Sequence, residues 1–242
     1  MEPSTELAAA IRGIPLPANM AGRPVSRRGF PVPYFVAWCS PAGAGLAEGQ
    51  GEPDFRIVDP AKMQRCLKFS LCWLCGKPLG KWRALVVGPM CLINRITAEP
   101  DSHVECAEYA AKACPFLANS RARRNTAVEL VPGTVHNPMG NPRNPGVAVV
   151  FVHVERWLKR VPQGPKLAPL FKMPANEPMR LAFYADGIKT ADRRQVLEAL
   201  NAGAEVLKSG ALVEGPEAVT ELACYYAATV ALVERWTDEA PS

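Results

Sequence analysis

Apolar positions along the chain recur with two different periods. Residues 147–154 (VAVVFVHV) form a nearly continuous β-branched run of strand length, and 178–184 offers a second stretch through Leu181 and Phe183. Tyr34 to Cys39 and Phe55 to Val58 read as strands separated by a Gly-, Pro- and Ala-rich stretch with turn or linker chemistry. Met63, Leu67 and Leu71 fall at helical spacing after Asp59-Pro60, a cap and first helical position, which predicts a helix over 60–71. Thr190 is placed to cap a later helix through Val196, Leu197 and Leu200, with interruptions expected at Gly203 and Gly210. A last helix starts at Gly215-Pro216, and its stripe Val219, Leu222, Ala223, Tyr226, Val230 and Val233 makes a packing face that runs to Trp236.

These elements predict an α+β chain with a small antiparallel sheet and C-terminal helices. Its parts are a Pro-rich arm with one or two strands over 1–60, the cysteine-bearing unit over 61–117, a loop or linker over 118–146, and the sheet with a helical pair over 147–242. The arm is expected to be extended because Pro15, Pro17, Pro24, Pro31 and Pro33 each remove a backbone donor and disfavour helix in the preceding residue.

Composition narrows the class without naming a function. The chain has 242 residues, enough for one sizeable core. It contains no long uncharged apolar run and no basic, signal-like start, so a cytoplasmic protein without a membrane partner is expected. The net charge of +5 is unevenly spread. Residues 61–100 carry seven Lys or Arg against one acid, whereas residues 196–242 carry two against eight. The basic stretch offers a face for phosphate or for an acidic partner.

The eight cysteines change the picture most. In a reducing cytosol clustered thiols bind metal more often than they form disulfides. Cys72-Trp-Leu-Cys75 is followed by Gly76, a spacing that aims two sulfurs at one ion, and Gly76, Pro78 and Gly80 exclude the regular helix that a redox pair would begin. Trp82 to Val87 and Met90 to Ile96 then read as a hairpin about Gly88-Pro89. Ser102 and Glu105 fit a capping box, which starts a helix and sets His103 and Cys106 three positions apart on its first turn. The candidate ligand set is Cys72, Cys75, His103 and Cys106, and three thiolates with one imidazole suit a closed, structural zinc site. Either Cys91 or Cys114 could replace His103 to give four thiolates.

The order knuckle, hairpin, ligand-bearing helix resembles the treble-clef zinc fingers over about residues 69–114. The resemblance implies metal and shape, since treble clefs serve ribosomal, DNA-binding, protein-binding and nuclease roles alike. Some nucleases on this scaffold place a histidine on the hairpin, and residues 80–100 contain none. No catalytic residue is assigned. The alternative is a hydrolase, nuclease-like or nucleotide-handling enzyme with a site in 80–190, and a further reading makes Cys91 a nucleophile with His136 or His153 as base. The reading preferred for His153 is a satisfied core residue.

Trp38, Trp73 and Trp82 beside Lys77, Lys81 and Arg83 could form an aromatic and basic surface of the kind that stacks bases, although tryptophans also pack small zinc cores. Arg95, Arg121, Arg123 and Arg124 extend the candidate phosphate contacts.

The segments GIPLPANM at 13–20, LCWLCGKPLG at 71–80, GPMCLINR at 88–95 and SHVECAEYA at 102–110 together resemble a family of uncharacterised phage, prophage and bacterial proteins. That resemblance implies a phage or mobile-element accessory role and no particular activity. The expected function is a zinc-containing, non-enzymatic binder of nucleic acid or of an acidic host protein.

Overall fold

A computed structural model describes residues 6–123, 144–154, 158–161, 169–190 and 192–236. Helices and three small antiparallel sheets combine in a mixed α+β fold. No described helix is long and apolar enough to cross a membrane. The greater part of the 118–146 segment, with Arg124 and His136, lies outside the described residues.

The first sheet is antiparallel, with β1 (Val36–Ser40) between β2 (Gly43–Leu46) and β3 (Glu52–Val58), in the order β2-β1-β3. The Gly-rich stretch expected to be turn or linker therefore supplies a strand. Glycine fits it to its neighbours: a Cβ on Gly51 would lie 2.3 Å from the Cys39 carbonyl oxygen. Helix α1 (Pro60–Phe69) opens as its sequence predicts, the Asp59 carboxylate accepting from the N–H groups of Ala61 and Lys62. It stops before Leu71 because Ser70 turns into the left-handed region, with φ +54°.

The hairpin expected over 82–96 does not form. After β4 (Arg83–Val87), Gly88-Pro89 is a helix start, with Pro89 at the first position of α2 (Pro89–Asn94). The short β5 (Ile96–Thr97) follows, then α3 (Val104–Ala113). The capping box is also unused. Ser102 is buried in a bridge with Ala84, Glu105 accepts from the Asn19 side chain, and His103 occupies the cap position.

β4 finds its partner some sixty residues on, in β6 (Ala148–His153). The strands that follow are β7 (Lys159–Val161), β8 (Leu170–Lys172), β9 (Arg180–Ala185) and β10 (Ile188–Thr190). The central sheet has the order β10-β9-β6-β4, and the third sheet is β5-β8-β7. Both sheets join strands from the 61–117 segment to strands from 147–242, so the two segments share one structure.

Both faces of the central sheet are covered, which is why β6 is apolar at nearly every position. Leu85, Val87, Val149, Phe151, Leu181 and Phe183 face α2 and the long helices α4 (Arg193–Glu214) and α5 (Pro216–Arg235). Ala84, Ala148, Val150, Val152, Ala182 and Tyr184 face α3 through its Ala107 and Ala111. Small residues on that side let the ligand-bearing helix lie close to the sheet. The cap of α4 is Asp192 rather than Thr190, which ends β10. Neither Gly203 nor Gly210 interrupts α4; a Cβ on Gly203 would come within 3.3 Å of Pro89 and Met90, so glycine sits where α4 crosses α2.

The arm is docked rather than free. Residues 9–11 and 18–20 form single 3₁₀ turns, and Ile11 and Met20 are buried against Cys72, Trp73, Cys75, Cys106 and Tyr109. Phe35 stacks on Trp73 with ring centroids 4.5 Å apart.

Candidate metal centre

The turn after α1 is built by its own backbone. The Cys72 N–H donates to the Lys77 carbonyl and the Gly76 N–H to the Cys72 carbonyl, each at 2.8 Å, and Leu71 bridges Pro78. Gly76 has φ +78°, and a Cβ there would lie 2.7 Å from the Tyr34 ring, so only glycine closes this turn without strain. Trp73 and Leu74 point into the core while Cys72 and Cys75 turn their sulfurs toward the start of α3.

The four ligand atoms of Cys72, Cys75, His103 and Cys106 all lie within 4.8 Å of one another. His103 Nδ1 is 3.3 Å from Cys75 Sγ and 3.9 Å from Cys106 Sγ. A tetrahedral zinc with ordinary Zn–S and Zn–N bonds sets neighbouring ligand atoms roughly 3.5–3.8 Å apart, and the two imidazole–sulfur distances, 3.3 and 3.9 Å, fall on either side of that range. His103 Nε2 stands 3.0 Å from the Pro78 carbonyl oxygen. A carbonyl only accepts, so Nε2 carries a proton, and once the ring is neutral its Nδ1 lone pair faces the sulfurs, the arrangement that orients metal-bound imidazoles. The His103 backbone N–H donates to Cys72 Sγ at 3.4 Å.

Charge explains why this donor set calls for a cation. Burial alone would raise the Cys72 thiol, but hydrogen bonds with Cys106, Cys75 and His103 outweigh it and hold it far below the usual thiol range. Hydrogen bonds to Cys72 and Cys75, then burial, push Cys106 strongly upward. Hydrogen bonds to Cys72 and Cys75 raise His103 to about 10 against the opposing pull of burial. The protein alone thus stabilises one thiolate and an imidazolium. Three adjacent thiolates require a dication among them.

The other cysteines stand outside the cluster. Cys66 is buried beside the Cys72 carbonyl, and burial, helped by charge on Cys72 and Cys75, pushes it to about 12, so it remains a thiol. Cys91 packs against the core on the α2 side of the sheet, where burial raises it to about 11. Cys114 ends α3. Neither substitutes for His103 in the four-atom cluster.

Beside the ligands lies a buried polar network that the sequence did not announce. Asp101 Oδ1 is 2.9 Å from His153 Nε2, Asp101 Oδ2 accepts from Arg83 Nη1 at 3.3 Å, and Arg83 Nη2 donates to Ser70 Oγ at 2.8 Å. Arg83, Asp101 and His153 are all buried. The Asp101 carbonyl also accepts from the Trp73 N–H at 3.0 Å, so one residue braces both the turn and the start of the ligand helix. Among the described residues His153 Nδ1 has no partner, and the satisfied core histidine expected there is satisfied on one nitrogen.

The candidate phosphate contacts divide. Lys77, Lys81, Arg121 and Arg123 are exposed. Arg83 is turned inward to Asp101, out of reach of a phosphate. Arg95 is half-buried, its guanidinium 5.3 Å from the centre of the Phe151 ring. Trp38 and Trp73 are core residues. Arg65, Lys68 and Phe69, on helix α1, are exposed as well.

Compared with protein-family models, curated proteins and solved structures, the chain matches none. The four-residue cluster and the surface around it therefore carry the functional reading alone.

Proposed function

We propose that this protein is a zinc-stabilised, non-enzymatic binding protein whose basic face at the metal turn contacts nucleic acid. The observation that carries it is the distribution of charge around the cluster. Arg65, Lys68, Lys77 and Lys81 are exposed, and among the described residues none of them pairs with a carboxylate. From Pro60 to Ala98 the chain contains no acidic residue at all. The metal holds the turn and α3 together, and the turn carries Lys77 and links α1, with Arg65 and Lys68, to Lys81.

Zinc is the ion proposed because the donors are three sulfurs and one nitrogen, all within 4.8 Å of one another. The turn and the helix-borne ligand pair are the parts a treble clef would supply, with β4, α2 and β5 in place of its hairpin. A phage- or prophage-type accessory role belongs to the same proposal and rests on the sequence resemblance.

Binding to single- and double-stranded oligonucleotides, measured at low salt and followed as salt is raised, tests the reading. Several exposed cations on phosphates give a steep inverse dependence of affinity on salt. Absence of binding at low salt, with the metal in place, refutes the nucleic-acid face; capture of an acidic polypeptide instead assigns the face to a protein partner.

A further inference from the structure

The basic face carries two aromatic rings that core packing does not explain. Phe69 and Trp82 are 53% and 51% exposed. Each ring has cations against it: Arg65 Cζ and Lys68 Nζ lie 5.8 and 5.3 Å from the Phe69 ring centre, and Lys81 Nζ lies 5.7 Å from that of Trp82. Arg65, Lys68 and Phe69 share one face of α1 at i, i+3 and i+4.

The two rings belong to segments joined at one point. Ser70, next to Phe69, accepts from the Leu79 N–H through its carbonyl at 2.9 Å and from Arg83, next to Trp82, through its hydroxyl. A cleft of about 180 Å³ is lined from these same segments by Leu67, Ser70, Leu79 and Arg83, with Asp101 and Phe171 opposite. Its walls are apolar, and its polar groups include both donors and an acceptor: the Arg83 guanidinium, the Ser70 hydroxyl and the Asp101 carboxylate. A planar heterocycle with an apolar face and a polar edge matches that lining. The cleft is too small for a stacked pair of bases.

Resting on the nucleic-acid reading above, we propose that this surface is specific for single strands. Phe69 and Trp82 stack on unpaired bases, Arg65, Lys68 and Lys81 hold the flanking phosphates, and the cleft receives one base edge. A duplex hides its base faces in its own stack and would use only the cations. A carboxylate-rich protein would likewise use the cations and leave the flat rings without a purpose.

Fluorescence anisotropy at low salt tests this with the metal-loaded full chain and four labelled probes of equal length: oligothymidine, oligouridine, a duplex, and an oligothymidine whose central bases are replaced by abasic residues. Single strands should bind more tightly than the duplex. Phe69→Ala and Trp82→Ala should each weaken single-strand binding by about five- to a hundredfold, with metal content and melting temperature unchanged. The abasic probe should lose a similar factor and be indifferent to both substitutions. If the abasic probe binds as tightly as the intact one and the ring variants match the parent, stacking is overturned, while weakening by Lys68→Glu and Lys81→Glu would keep the basic-face reading. If polyglutamate binds and no oligonucleotide does, both fall.

Discussion

His103 Nε2 and the Pro78 carbonyl oxygen are 3.0 Å apart, and this contact links the two halves of the metal cluster before any ion is considered. Pro78 closes the turn that carries Cys72 and Cys75, and His103 opens the helix that carries Cys106. The hydrogen bond therefore keeps a proton on Nε2, so that loss of the other proton frees Nδ1, and it sets the separation of the ligand pairs.

One bound dication per chain is the first expected outcome, measured by elemental analysis. Cys72→Ser or Cys106→Ser should abolish it, because a hydroxyl is a poor replacement for thiolate. Chelation should lower the melting temperature by at least about 10 °C, since structural zinc contributes several kcal/mol of folding free energy. Cys91→Ser and Cys114→Ser should leave metal content unchanged, as both lie outside the cluster.

Metal affinity should rise with pH. The metal-free His103 ring is raised to about 10, so below that pH the ion must displace its proton as well as those of the thiols. Competition titrations with a chromophoric chelator should show tighter binding at each higher pH up to about 10 and release in acid. Affinity independent of pH would exclude His103 and the thiols as ligands.

Gly76→Ala should destabilise the protein by about 1–2 kcal/mol from the left-handed backbone alone, and further from the clash with Tyr34. Urea unfolding of Gly76→Ala, with and without Tyr34→Ala, separates the two contributions: removing the ring should restore only the steric part.

Asp101→Ala should cost about 3–5 kcal/mol, because it leaves the buried Arg83 charge without its carboxylate. Replacing both partners, as Arg83→Met with Asp101→Leu, should be milder than the single change. Equal losses in urea unfolding would mean that the pair contributes through packing instead of charge.

What the chain determined alone was local. Asp59-Pro60 and Gly215-Pro216 start helices because side-chain caps and fixed proline φ act within a few residues. The four residues that could hold a metal were legible for the same reason, since Cys-x-x-Cys-Gly and the spacing of His103 and Cys106 are short-range geometry. The tertiary structure decided the rest. Gly88-Pro89 suits a turn or a helix start equally well, and the choice fell to helix because β4 pairs with β6, far away in the chain. That pairing also carried Arg83 opposite His153 and buried it on Asp101, so a lysine- and arginine-rich stretch ends with some cations inward and others in solvent. Phe69 and Trp82 differ from Phe35 and Trp73 only in what packs against them, a property set by distant segments that no local pattern encodes.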